Sequence, residues 1–156
     1  MSDAPADALR PHERAVAVPS GFDAQLWFIG RIRTPWTVRR DCPHRGDPEN
    51  GPLCRVEVAQ PWVEGLIGIE RHQRLQLLYW MDQSRRDLVL QNPSFGDAAI
   101  GTFGLRSPVR PNPIASSVVR LLAVDGPVLT VRGLDCVDGT PLLDIKAEFG
   151  AMPCSS

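Results

Sequence analysis

The sequence predicts a mainly β domain, a single-sheet barrel that is closed or nearly closed and carries few short helices. Three observations lead there. The stretch SSVVRLLAVDGPVLTVRGLD is two β-rich runs around Asp125-Gly126, the signature of a hairpin. Several other short β-rich runs follow one another with turn signals between them, as in closed antiparallel folds. No G-x-G-x-x-G follows a strand and little of the chain reads as helix, which disfavours a doubly wound nucleotide fold.

Taken in order, residues 1–24 read as a disordered or loosely packed lead-in. Acids, bases and prolines alternate through Met1 to Arg14, with no apolar segment of the kind a secretory signal requires. Residues 25–150 read as one barrel domain and 151–156 as a C-terminal tail. QLWFIGRIR, residues 25–33, alternates apolar and polar side chains with Leu26, Phe28 and Ile32 on one side, a strand period. Thr34-Pro35-Trp36 should end it, because proline cannot donate to a ladder. DCPHRGDPENGP, residues 41–52, is turn chemistry throughout and predicts a long loop. Residues 62–71 suggest a short helix, LQLLYWMD a buried strand, and DLVLQN another. After the hairpin, Asp138-Gly139-Thr140 is a second turn and PLLDIKAEF a last strand.

Composition bounds the function. A chain of 156 residues with 43% apolar side chains can bury one core, and it has no apolar run long enough to span a membrane. The four cysteines have no C-x-x-C spacing, so zinc is disfavoured and reduced, inert thiols in a cytoplasmic setting are expected. Net charge is −1, which gives no global attraction to nucleic acid. All but one of the 17 basic residues are arginine, Lys146 being the exception. Genomic composition is the leading explanation of this bias, and the functional one is that rigid guanidinium forks suit phosphates, carboxylates and stacked bases.

Two segments carry chemistry. RSPVRPNPIASS, residues 106–117, holds three prolines and two arginines. Proline fixes φ and removes an amide donor, and it pushes the residue before it toward extended geometry. A stiff ribbon with free carbonyls is therefore expected, either a connector or a ligand site on a positioned loop. RGLDCVDGTPLLDIK, residues 132–146, brings Asp135, Asp138 and Asp144 within ten residues. Asp138 suits a turn in which the carboxylate caps backbone amides. Asp144 and Lys146 share a strand face and can simply pair. The carboxylates lack the loop of oxygen ligands that a hard cation needs, so no metal is expected.

RSPVRPNPIASSVVRLLAVDG followed by GLDCVDGTPLLDIK resembles the signature region of the TsaA-like, YaeB-like family, the TrmO type of tRNA methyltransferase. IGRIRTPW resembles that family's opening strand. The resemblance implies a β-barrel that dimerises and binds S-adenosylmethionine at or near the subunit interface. It also implies methylation of the exocyclic amino group of threonylcarbamoyl-adenosine in the tRNA anticodon loop. Carried over by motif, the cofactor shell comprises Thr34, Pro35, Trp36, Gln73, Arg74, Arg106 and the backbone of Arg132, Gly133, Leu134 and Asp135. Asn112 is the candidate acceptor for the target amine, and Asp138, Asp144 and Lys146 complete the catalytic candidates. Trp36, Arg39, Arg40, His44 and Arg45 are candidates for RNA stacking and phosphate contact. The chain departs from the family at Gln73-Arg74, where a serine-histidine pair is usual, and at Ala115, where glycine is usual. The same barrel acting on a different RNA or a small molecule is one alternative function. A non-catalytic adenosyl-ligand or RNA-binding module is the other.

Overall fold

The structure is a computed structural model that describes residues 8–148. Its described residues divide into two compact units. One takes in the described residues up to Ala24 together with Gln83–Ile114, the other Gln25–Asp82 and the described residues from Ala115.

The larger unit is the barrel. Its strands are β2 (Gly30–Arg33), β3 (Cys54–Val58), β4 (Arg74–Trp80), β7 (Ile114–Asp125, its first residue grouped with the smaller unit), β8 (Val128–Arg132) and β9 (Pro141–Ala147). They close in the order β2-β3-β8-β7-β4-β9, and β9 returns to β2 through Gly30↔Leu142 and Arg31↔Pro141. Closure leaves no strand edge open. Alternation along the strands sends Ile32, Val56, Leu75, Leu77, Tyr79, Val119, Leu129, Val131 and Leu142 into one core. Gly30 is demanded by packing, since a methyl there would overlap the Glu57 carbonyl on the neighbouring strand. The β7–β8 hairpin turns at Gly126 with φ +56, in the left-handed region that glycine tolerates.

The smaller unit holds a three-stranded sheet ordered β1 (Arg14–Ala15), β5 (Leu88–Gln91) and β6 (Ile100–Gly101). Polar groups knit it together. The fully buried Asn92 donates through Nδ2 to the carbonyls of Pro11 (2.9 Å) and Gly96 (2.8 Å), and its amide donates to Glu13 (3.0 Å). Gln91 donates to Thr102 Oγ1 (3.0 Å) and the Val109 carbonyl (2.6 Å), while Thr102 donates to the Leu88 carbonyl (2.8 Å).

Three expectations are corrected. The expected lead-in is packed over residues 10–16, which supply strand β1 and acceptors for the buried Asn92, while residues 17–24 are exposed and form no regular element. The strand expected over residues 25–33 is only Gly30–Arg33, and Leu26 and Phe28 are exposed although Ile32 is buried. The short helix expected over residues 62–71 is two 3-10 turns, Val63–Leu66 and Ile69–Arg71, separated at Gly68 by φ +84. Residues 1–7 and the tail expected at 151–156 lie outside the described residues.

Cys54 and Cys136 are buried in the barrel core, where desolvation pushes their thiols up to about 11 and about 12. Both should stay unreactive toward a thiol reagent in the native protein at pH 8 and label fully in denaturant, as read by mass spectrometry. Gly30→Ala should cost about 3 kcal/mol of stability in urea titration, because the added carbon meets backbone that cannot move aside.

Candidate functional site

Thr34-Pro35-Trp36 leaves the end of β2 and is bound directly to the segment that precedes β9. The Thr34 amide donates to Asp138 Oδ1 (3.1 Å) and its hydroxyl donates to the Cys136 carbonyl (2.7 Å). The Asp138 amide donates to the Trp36 carbonyl (2.7 Å), and the Gly139 amide to the Ile32 carbonyl (2.8 Å). Gly139 has φ +83, so the Asp-Gly-Thr turn forms where the sequence places it. Two motifs about a hundred residues apart therefore make one corner of the barrel. Asp138 works there as an amide cap, with Arg33 Nη1 4.0 Å from its second oxygen.

The 132–135 turn lies in the same unit. Gly133 has φ +118, and its carbonyl is covered by Gly46 so closely that a methyl on Gly46 would overlap it. The long loop over residues 41–52 thus rests on this turn through a glycine-to-backbone contact. Leu134 is 2% exposed and belongs to the core, so its side chain is unavailable to a ligand.

Asp135 is held differently. Tyr79, 1% exposed, donates its hydroxyl to Asp135 Oδ1 at 2.6 Å. Because that proton is committed, Ser117 Oγ, 2.6 Å away, donates to the tyrosine oxygen. Burial first, then the Asp135 charge, drives the Tyr79 hydroxyl far above its ordinary range, so it stays a donor. The Tyr79 partnership behind Asp135 was not legible in the sequence, although Ser117 closes the proline segment singled out there. Tyr79 sits in an apolar run that reads as core.

The remaining candidates are arranged otherwise than expected. Asp144 and Lys146 pair with each other at 3.1 Å on the outside of β9, where both are about half exposed. Ile145 between them packs on the core. Arg74 points outward from β4 and pairs with Glu49 at 2.7 Å, while the Gln73 carbonyl accepts from the Leu121 amide at 2.9 Å. Ala115 needs no glycine, since its φ is not positive and its methyl packs against the core. Arg39, Arg40, His44 and Arg45 are all exposed.

The proline segment lies mainly in the smaller unit, with Arg106 exposed at its head. Three of its carbonyls, those of Ser107, Val109 and Pro111, accept from side chains. Arg110 donates to the carbonyls of Leu105 (3.0 Å) and Ser107 (2.9 Å), Gln91 to Val109 (2.6 Å), and Arg86 to Pro111 (2.6 Å). Arg86 also donates to Asn112 Oδ1 at 3.1 Å. The expectation of unpartnered carbonyls is corrected: prolines removed ladder partners, and arginine and glutamine side chains replaced them. The chain bends at Pro108 and over residues 110–112 instead of running as an extended ribbon.

The comparisons fit this architecture. Residues 31–151 match the family model described as the tRNA-methyltransferase O N-terminal domain. The chain is 52% identical over 140 residues to a probable S-adenosyl-L-methionine-binding protein, VirR, of Rhizobium radiobacter, covering 90% of this chain and 79% of that one. It is 32% identical to the tRNA (adenine(37)-N6)-methyltransferase of Escherichia coli, covering 78% of this chain and 56% of that enzyme. The crystal structure of TrmO from Pseudomonas aeruginosa superposes with a TM-score of 0.66 at 30% identity, covering 86% of this chain and 62% of that one. The chain thus spans less than two thirds of the relatives named as methyltransferases. With three quarters of its length matched by one family model and half its residues shared with VirR, this chain belongs to the family of the tRNA-methyltransferase O N-terminal domain.

Proposed function

We propose that the chain is an S-adenosylmethionine-dependent methyltransferase acting on the exocyclic amino group of threonylcarbamoyl-adenosine in the tRNA anticodon loop. Family membership over residues 31–151 carries the reading. It is supported by the corner that joins Thr34–Trp36 to Cys136–Asp138 beside the 132–135 turn. A cytoplasmic location, and a homodimer with the cofactor at or near its interface, belong to the same proposal. Among the described residues no helix is long and apolar enough to cross a membrane.

The donor set at the corner suits the cofactor's chemistry, a purine, two vicinal hydroxyls and a cationic sulfonium. Trp36 offers a half-buried ring face, and Asp135 a carboxylate that Tyr79 holds in one orientation. The backbone of residues 132–135 and Thr34–Trp36 would hold the ligand. When bound, S-adenosylmethionine supplies the methyl group as an electrophile. The protein's task is then to present a weakly nucleophilic amine in line with it. Asn112 is the proposed acceptor for that amine; its amide oxygen has two lone pairs, of which Arg86 engages one. Asp138 is occupied as a cap and Asp144 by Lys146, so water is the proposed proton acceptor in preference to either.

A second reading has its own support. VirR, whose length this chain covers to 79%, is named as a binding protein, whereas the enzyme named as a methyltransferase is covered to 56%. An adenosyl-ligand-binding barrel that transfers its methyl elsewhere, or not at all, fits that contrast.

Nucleoside mass spectrometry separates the two. Incubation with S-adenosylmethionine and tRNA that carries threonylcarbamoyl-adenosine should add one methyl to that nucleoside. Cofactor binding without that gain would select the second reading. Tyr79→Phe should weaken cofactor binding about tenfold by calorimetry, the worth of one hydrogen bond to a charged group, and leave kcat at saturating cofactor unchanged. An unaltered Kd would remove Asp135 from the site. Asn112→Ala should lower kcat by at least tenfold with cofactor affinity intact.

A further inference from the structure

The outer face of the barrel carries two like-charged cross-strand pairs. Arg33 lies opposite Arg55 on β2 and β3, and Arg120 opposite Arg132 on β7 and β8. Like charges directly opposite one another destabilise a sheet unless something neutralises them. At the first pair the protein does so itself. Glu57 takes Arg33 Nε at 2.6 Å, and Asp138 lies 4.0 Å from its Nη1.

The second pair shares its one carboxylate with a third arginine. β4 is the next strand after β7, and Arg74 projects from it on the same outer face, since Leu75, Leu121 and Val131 turn inward. Three guanidinium groups thus arise from three adjacent strands. One carboxylate serves two of them: Glu49 Oε1 is 2.7 Å from Arg74 and Oε2 is 3.2 Å from Arg120. Arg132 Nε is buried with no hydrogen-bond partner. Three positive charges exceed what one carboxylate neutralises. Glu49 sits on a turn built to present it, with Asp47 Oδ1 accepting from the amides of Glu49 (2.9 Å) and Asn50 (3.0 Å).

We infer that Arg74, Arg120 and Arg132 form a phosphate-binding patch for the backbone of an RNA, and that Glu49 is an internal carboxylate which a phosphate displaces. Strands about 4.8 Å apart spread the three forks over roughly 10 Å, wider than a single carboxylate and suited to successive phosphodiesters. The inference rests on the RNA reading above and moves the main phosphate contact away from Arg39, Arg40 and Arg45.

Binding of unfractionated tRNA is measured by fluorescence anisotropy across a salt series, on the full chain and on its variants. Arg74→Gln/Arg120→Gln should weaken binding several-fold and lower the slope of log K against log salt by about 1–2. Glu49→Gln should do the reverse, tightening tRNA binding several-fold without raising the melting temperature. A merely structural ion pair would not improve affinity when broken. Arg120→Gln alone should leave S-adenosylmethionine affinity unchanged, which separates the patch from the cofactor site. A double variant with the wild-type salt slope, or Glu49→Gln with no gain, would overturn the inference. If the wild type binds and methylates tRNA in that case, the enzymatic reading stands without the patch. A wild type that binds no tRNA would overturn the patch together with the tRNA substrate.

Discussion

The pairing of β9 with β2 is the constraint on which the barrel depends. Without it β2 and β9 would each present an open edge, and the core would be open along one side. The chain secures that seam twice, by the short ladder at Gly30 and Arg31 and by the polar stitches from Ile32, Thr34 and Trp36 to residues 136–140. The residues that close the barrel are therefore those that shape its candidate ligand corner. The closing strand is made late, at residues 141–147, so the fold relies on contacts distant in sequence. Such contacts form slowly because loop entropy must be met first.

A second theme is how the molecule satisfies buried backbone where regular ladders are absent. In the smaller unit the donors come from side chains: Asn92 and Gln91 from β5 and its end, and Arg86 and Arg110 for the proline segment. This explains part of the arginine bias that composition alone left open. A guanidinium carries five donors in a fixed fork, so one residue can serve two carbonyls, as Arg110 does.

Much of the barrel was legible. The Asp125-Gly126 hairpin, the Asp138-Gly139 turn and the last strand stand where turn chemistry and β-rich runs place them. The failure at residues 25–29 is instructive: alternation identifies apolar side chains but not whether a core awaits them, and Trp27 instead lies against the partly exposed Trp62, the ring centroids 5.4 Å apart and the planes tilted by 39°. The candidate site was legible as motifs and illegible as partnerships. Nothing local tells that Asp138 caps Thr34, that Tyr79 serves Asp135, or that Glu49 bridges two arginines. Each is a contact across distant segments, set by strand order.

The division of the chain into units has a topological consequence. The polypeptide passes from the smaller unit into the barrel after Ala24, returns after Asp82, and leaves again after Ile114. Neither unit is a contiguous stretch of sequence. No single truncation can isolate either one intact, and a fragment that ends at any crossing carries half of one unit with nothing to complete it.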